Sequence, residues 1–261
     1  MSGASMDAHS RQQAILAQLR ASGRVLVADL ADGLAVAPET IRRDLAAMDR
    51  RGVLRKIHGG AVPAPVLALP ETGVTHREQL NTAAKQAIAQ AALPRLGLSE
   101  GTVLLVDSGT TTGALARLLG GGPRLSVITN SVLIAAHLAS LEGITVRILG
   151  GQVRGLTQAA VGSEALEALA ALRVDVAIMG TNGVSALHGL STPDPDEATV
   201  KRAMVRCARR VVALADATKI GQEHLVSFAA ADEVDLLVTD APPPPDLTAH
   251  LHDTGTEVLI A

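Results

Sequence analysis

Aromatic residues are almost missing from this 261-residue chain: Phe228 is the only one, and there is no Trp or Tyr. Proteins that read single strands or RNA stack bases on aromatic rings, so this composition argues against such a reader. Cysteine is nearly absent too. Cys207 alone makes neither an internal disulfide nor a cysteine-based zinc site, and no CxxC or HExxH motif occurs. A reducing cytoplasm suits such a chain, and neither a metal nor a cofactor is expected. No apolar run approaches the roughly 18 residues that cross a membrane. The opening MSGASMDAHSRQQ has no apolar leader segment. The expectation is a soluble cytoplasmic protein with no membrane partner.

What is present points to an ordered protein. Hydrophobic residues make up 48% of the chain and charged residues 19%, a balance that buries a core rather than leaving the chain disordered. The length admits two domains. The net charge is −3, but it is unevenly spread: residues 1–62 carry nine Lys and Arg against six Asp and Glu, and the remainder carries 14 against 20. A basic head on an acidic body is the arrangement expected when only the head touches phosphates.

Within residues 7–62 three short helices are expected. HSRQQAILAQLRAS places Ile15, Leu16 and Leu19 at helical spacing before Gly23, and VADLADGL turns Leu30 and Ala31 inward. In PETIRRDLAAMDRR, Pro38 suits the first helical position, and Ile41, Leu45 and Met48 form one apolar stripe. VLRKI with Gly59-Gly60 reads as a hairpin. Three helices and a basic hairpin make a winged helix-turn-helix. A third helix in the major groove presents its first turn to base edges. Arg42 and Arg43 then reach guanine or phosphate, and Thr40 a phosphate or a thymine methyl. The alternative is that both arginines sit on a solvated face balanced by Asp44 and Asp49. Arg55 and Lys56 suit backbone contacts, and His58 either contacts a phosphate or supports the turn.

Residues 63–75, rich in proline and without a period, are expected to be a linker. From 76 to 261 a helix over HREQLNTAAKQAIAQAAL precedes apolar runs at TVLLVD, LSVITN, VRILGG, DVAIMG, VVALAD, DLLVTD and EVLIA, most of them separated by helical segments. Continuous apolar strands alternating with helices predict a Rossmann-like, largely parallel α/β domain. After the first run, Ser108, Gly109, Thr110, Thr111 and Thr112 form a loop that either surrounds a phosphate or merely caps a helix. It is neither a Walker A loop nor GxGxxG. Thr129, Asn130, Gly150, Gly151, the 180–183 segment, Asp216 and Lys219 follow other strand ends, where open α/β sheets bind ligands. Glu197 and Lys201 are an i,i+4 pair, either on the surface or in the site.

The head resembles the winged helix of the DeoR family of bacterial regulators, through Arg11, Ile15 and Leu19 and through TIRRDL followed by GVLRKIHGGAV. One departure is Ala37, where the family usually has a serine N-cap, a loss of about 1 kcal/mol in helix stability. The body resembles the sensor domain of the same family in HREQLNTAAK, DSGTTT, VITNS, ILGG, GLSTPDPDEATVKRAM, ADATKIG and LLVTD, with Val74 where the family commonly has Phe. That domain is similar in fold to ribose-5-phosphate isomerases and sugar-phosphate deaminases.

The resemblance implies a repressor that binds a duplex operator and responds to a phosphorylated sugar or related anionic metabolite. It also implies that Asp107, the 108–112 loop, Thr129, Asn130, Gly150, Gly151, Asn182, Glu197, Lys201, Asp216 and Lys219 lie near that effector. A homodimer or homotetramer is expected, because a lone head with few base contacts gives little specificity, and half-sites would then lie about 10 bp, or multiples of that, apart. The competing reading is a sugar-phosphate isomerase or deaminase using Asp107, Glu197, Asp216 or Lys219 as acid or base.

Overall fold

The computed structural model describes residues 8–50, 54–57, 59–63 and 73–261. It divides into two compact units, Met1–Pro70 and Glu71–Ala261.

The first unit runs α1 (Ala8–Ser22), β1 (Val25–Leu26), α2 (Val27–Gly33), α3 (Pro38–Arg50), β2 (Leu54–Ile57) and β3 (Gly60–Pro63). Ile15, Leu30, Ile41, Leu45 and Met48 are fully buried in one core with Leu19, Val25 and Leu54. The helical spacing of those residues is what sets the three helices against each other, since each fully buried side chain of this size contributes about 1.5–3 kcal/mol. Strands β2 and β3 form an antiparallel hairpin, and β1 adds to its free side. Gly60 permits that addition: a Cβ there would lie 2.0 Å from the Val25 carbonyl oxygen. Asp49 Oδ1 accepts the Lys56 backbone N–H at 3.0 Å, tying the hairpin to α3. This is the winged helix-turn-helix plan.

The second unit opens with α4 (Val74–Gln79) and α5 (Thr82–Ala92), followed by β4 (Val103–Val106), α6 (Thr110–Ala116), β5 (Leu125–Thr129), α7 (Val132–Leu138) and β6 (Ile144–Ile148). A hairpin of β7 (Gln152–Arg154) and β8 (Ala159–Val161) leads to α8 (Ser163–Ala170) and β9 (Val174–Gly180). Next come β10 (Gly183–Ser185), β11 (Gly189–Thr192), α9 (Pro195–Cys207), β12 (Ala208–Leu214), β13 (Val226–Ala229), β14 (Leu236–Thr239), α10 (Pro245–Asp253) and β15 (Glu257–Ile260).

Among the described residues, seven strands pair in parallel in the order β15-β14-β12-β9-β4-β5-β6. Their central members are buried on both faces. Leu104, Val106, Val176 and Ile178 pack towards α5, α6 and α7, and Leu105, Ala177 and Met179 pack towards α8 and α9. Two-sided burial is why these strands read as unbroken apolar runs. Strands β10, β11 and β13 make a separate antiparallel sheet, with Phe228 buried at its base. No helix among the described residues is long and apolar enough to cross a membrane.

The helix expected across residues 76–93 is two helices. Leu80 is extended and Asn81 is left-handed, with φ 51°, a conformation Asn tolerates better than most residues. Lys85 Nζ donates to the carbonyls of Arg77 and Leu80, taking up acceptors that an unbroken helix would have used internally.

Candidate functional site

In the head, the first two turns of α3 carry Pro38, Glu39, Arg42 and Arg43 on their exposed side and Thr40 half-buried. Arg42 Nη1 lies 2.7 Å from Glu39 Oε2. Arg43 is exposed and has no side-chain partner among the described residues. Asp44 does not balance these arginines. It is buried against Arg11 of α1, with Gln12 Nε2 donating to its second oxygen at 3.2 Å. Asp49 faces the hairpin. The two arginines thus sit beside one paired carboxylate, on a helix end held in place from behind. Lys56 is exposed on β2. Of Arg55 only the backbone is described, and His58 lies outside the described residues.

In the body, chain order sets the position of the site. From β4 the sheet grows through β5 to β6 on one side, and from β9 through β12, β14 and β15 on the other. The turn of direction lies between β4 and β9, and such a point leaves a crevice at the carboxyl ends of the strands. A cavity of ≈ 250 Å³ occupies it. Ser108, Gly109, Thr110 and Thr111 enter from the β4 end, and Gly180, Thr181 and Asn182 from the β9 end. Asp216, Thr218 and Lys219 enter from beyond β12, and Glu197 and Lys201 from α9. Thr110 and Thr111 are the first residues of α6, where amides find no carbonyl one turn earlier.

Other expected residues lie behind the wall and hold it. Asp107 is fully buried; its Oδ2 accepts from Lys201 Nζ and, at 3.0 Å, from the Gly180 N–H. Thr112 Oγ1 donates to the Asp107 carbonyl at 2.6 Å, and Asn130 Oδ1 accepts the Ser108 N–H at 2.9 Å. Thr129 Oγ1 donates to the Val106 carbonyl at 2.6 Å and accepts from the Ser131 N–H at 3.0 Å. Gly150 and Gly151 do not line the cavity. Gly151 has φ 126°, and a Cβ on it would stand 2.3 Å from the Val161 carbonyl oxygen; its small size serves the close approach of β7 to β8.

Glu197 and Lys201 are both buried, and they pair elsewhere rather than with each other. Lys201 meets Asp107 and the Gly180 carbonyl, at 3.0 Å from the latter, and lies 5.2 Å from the centre of the Phe228 ring. Glu197 accepts from Arg154 and from Thr157 Oγ1, and Arg154 also reaches Asp194 at 3.1 Å. Asp216 Oδ1 accepts the Thr218 N–H at 3.0 Å.

The wall also contains residues the sequence reading did not assign to it: Arg77, Asn81, Lys85, Thr157 and Thr218. Residues 77, 81 and 85 recur every four positions, which is the pattern that would have grouped them.

Electrostatics in the cavity favour an anion. The carboxylates are engaged: Glu197 by Arg154 and Thr157, and Asp216 by Thr218, with Asn81 Nδ2 at 3.4 Å. The Lys219 ammonium has no partner among the described residues, and Arg77 Nε is buried without one. Burial lowers Lys85 from the ordinary lysine range; Asp216 opposes that shift, and Lys219 and Arg77 add to it. Burial pushes the Asp107 carboxyl up against the pull of Lys201. At the other end His224, held low by burial, donates from Nε2 to the Asn182 carbonyl at 3.1 Å and fixes that loop.

Residues 11–64 match the family model of the DeoR-like helix-turn-helix domain, and residues 80–241 match that of the DeoR C terminal sensor domain. The HTH-type transcriptional regulator GlpR of Haloferax volcanii is 36% identical over 89% of this chain and 90% of its own length. The glycerol-3-phosphate regulon repressor of Escherichia coli K12 is 30% identical over 93% of this chain and 95% of its own. Among solved structures, the ribose 5-phosphate isomerase A of Methanocaldococcus jannaschii aligns with a TM-score of 0.40 and 19% identity, over 53% of this chain and 54% of that one. A winged head followed by a sensor body, in this order and across nearly the whole length of regulators so named, means that the chain belongs to the DeoR family of DNA-binding transcriptional regulators.

Proposed function

We propose that this protein is a repressor of a carbohydrate-metabolism operon in the cytoplasm, released from its duplex operator when a phosphorylated sugar or related anionic metabolite fills the cavity of the body. The observation that carries the effector reading is the meeting of the 108–111 loop with Lys85, Lys201 and Lys219 in one cavity whose own carboxylates are already engaged. Hydroxyls and amides of the loop suit phosphate oxygens. Glu197, Thr157, Thr181 and Asn182 suit the hydroxyls of a polyol. A relative named for a glycerol-3-phosphate regulon supports a ligand of this class. A thermal-shift panel of phosphorylated three- to six-carbon sugars and polyols tests it: a ligand at 100 times its Kd should add about 2.7 kcal/mol of stability. No shift with any member contradicts the reading.

The affinity of the hit should depend on pH from both sides. Phosphate monoesters gain their second charge near pH 6, so binding should strengthen through that range. On the alkaline side Lys85 loses its proton earlier than an ordinary lysine at 10.5. Binding should therefore start to weaken before the ordinary lysine range is reached. Calorimetric titration between pH 5 and 10.5 measures both limbs; an affinity flat up to 10.5 would remove Lys85 from the interaction.

On DNA, a homodimer or homotetramer would set Thr40, Arg42 and Arg43 of α3 into successive major grooves, with Arg55, Lys56 and His58 of the wing on the backbone and Pro38 fixing the helix start. Arg43, exposed and without a side-chain partner among the described residues, is the stronger candidate for a bidentate base contact. Arg43→Ala should weaken specific binding by about 1–3 kcal/mol and relax one operator position. Lys56→Ala should weaken all sequences alike and reduce the salt slope by about one. Quantitative footprinting at fixed salt separates the two, and an Arg43→Ala protein with unchanged affinity and preference places that residue off the interface.

A further inference from the structure

One wall of the cavity comes from the first part of the body that follows the linker in sequence. Arg77, Leu80, Asn81 and Lys85 all line it. Lys85, buried, donates to the carbonyls of Arg77 and Leu80 and so holds the last turn of α4. Arg77 Nε is buried and has no hydrogen-bond partner among the described residues. A guanidinium N–H in that position is costly until an acceptor reaches it, and an oxyanion is the acceptor that guanidinium matches best. The other end of α4 is tied to the same cavity from behind. The Val74 N–H donates to the Leu156 carbonyl at 2.8 Å, and the next residue, Thr157, lines the cavity and bonds Glu197.

We propose that Arg77 is a direct ligand of the effector's anionic group, and that α4 acts as a strap which closes on the occupied cavity. The proposal rests on the effector reading given above. With an oxyanion in reach, Arg77 Nε gains its acceptor and the Lys85 ammonium is shared between the anion and the α4 carbonyls, so that both ends of α4 are fixed by the contents of one cavity. An effector shifts an equilibrium only through contacts that differ between two states. Arg77 supplies such a contact, because it requires α4 to be docked. The chain preceding α4 is the linker that leads to the head, so docking of α4 fixes the point at which the linker leaves the body.

Hydrogen–deuterium exchange on the full chain tests this, with inorganic phosphate and with the phosphorylated sugar that gives the largest thermal shift as probes. Amides of residues 74–82 should become at least about tenfold better protected when the probe binds, and Arg77→Gln should weaken probe binding about tenfold and abolish that protection. Arg77→Lys, which keeps the charge but lacks Nε, should restore only part of both. Exchange of the β4 and β9 amides in the unliganded variants reports that the body still folds. If a probe binds the wild type and Arg77→Gln equally, with no change over 74–82, the strap is wrong and the effector reading stands. Loss of binding in Arg77→Gln without any protection of 74–82 in the wild type leaves Arg77 a ligand and removes the closure. If no probe binds the wild type, the effector reading fails and the strap with it.

Discussion

Replacing Asp107 with alanine should destabilise the body by about 3–5 kcal/mol, the cost of leaving one member of a buried ion pair without its partner. Asp107 is fully buried, and its partner Lys201 has a side chain 4% exposed. Without the carboxylate, Lys201 retains the Gly180 carbonyl and the face of Phe228, which do not neutralise an ammonium out of water. The Gly180 N–H also loses its acceptor. The cost therefore falls where the ends of β4 and β9 meet, beneath the cavity. Urea unfolding of the full chain should show the sheet's transition shifted to lower denaturant. Adding Lys201→Met to Asp107→Leu should recover most of the stability, because a pair of apolar residues leaves no stranded charge, while the effector response stays lost with the Lys201 ammonium. If Asp107→Ala unfolds at the wild-type midpoint, the pair is not the anchor of the loop.

Asp44→Ala should have the next largest effect, about 3 kcal/mol on the head, at the low end of the range for a broken buried pair because both side chains retain about a tenth of their exposure. Asp44 sits on the helix proposed to enter the groove, one residue after Arg43, yet points into the protein and joins α3 to α1 through Arg11 and Gln12. Its loss should loosen the first turn of α3 as a unit. Specific operator binding should then fall by more than it does in Arg43→Ala, with no change in which bases are preferred. Thermal unfolding of the head and operator titration read the two consequences separately. A double variant, Arg11→Met with Asp44→Leu, should restore stability and most of the binding. If it restores stability alone, Arg11 has a role towards DNA beyond support.

The parts of the fold that were legible are those whose signal is local. The five inner strands of the sheet announce themselves because burial on both faces demands runs such as LLV in β4 and LLVT in β14, whereas the edge strands β6 and β15 are partly exposed. Helix α3 does so because Ile41, Leu45 and Met48 repeat at its period. The small sheet of β10, β11 and β13 and the β7–β8 hairpin are made of segments such as GVS, GLST and QVR, too short and too mixed to carry a period; only pairing with distant residues makes them strands. The break between α4 and α5 is likewise invisible locally, since it depends on Lys85 reaching back to carbonyls of Arg77 and Leu80.

The site divides in the same way. The Ser108–Thr111 loop follows its strand directly and reads from sequence. Glu197 and Lys201, four residues apart, have the spacing of a surface ion pair but are buried and bonded to Thr157, Arg154 and Asp107, residues 40, 43 and 94 positions away. Gly150 and Gly151 follow a strand end like the binding loops, yet Gly151 answers to backbone packing against Val161. The four-residue spacing of Arg77, Asn81 and Lys85 groups them, but nothing local says that this group borders a crevice formed some 30 to 140 residues further along the chain.

The most direct measurement is operator affinity of the full protein at fixed salt and pH 7.5, with a phosphorylated sugar that stabilises it and with the same sugar lacking the phosphate. We predict that the phosphorylated compound weakens specific operator binding at least about tenfold, within the usual range of coupling between two sites, that the unphosphorylated one leaves it unchanged, and that Lys219→Ala removes the difference. Equal operator affinity with both compounds, when one of them demonstrably fills the cavity, would contradict a repressor governed through that site.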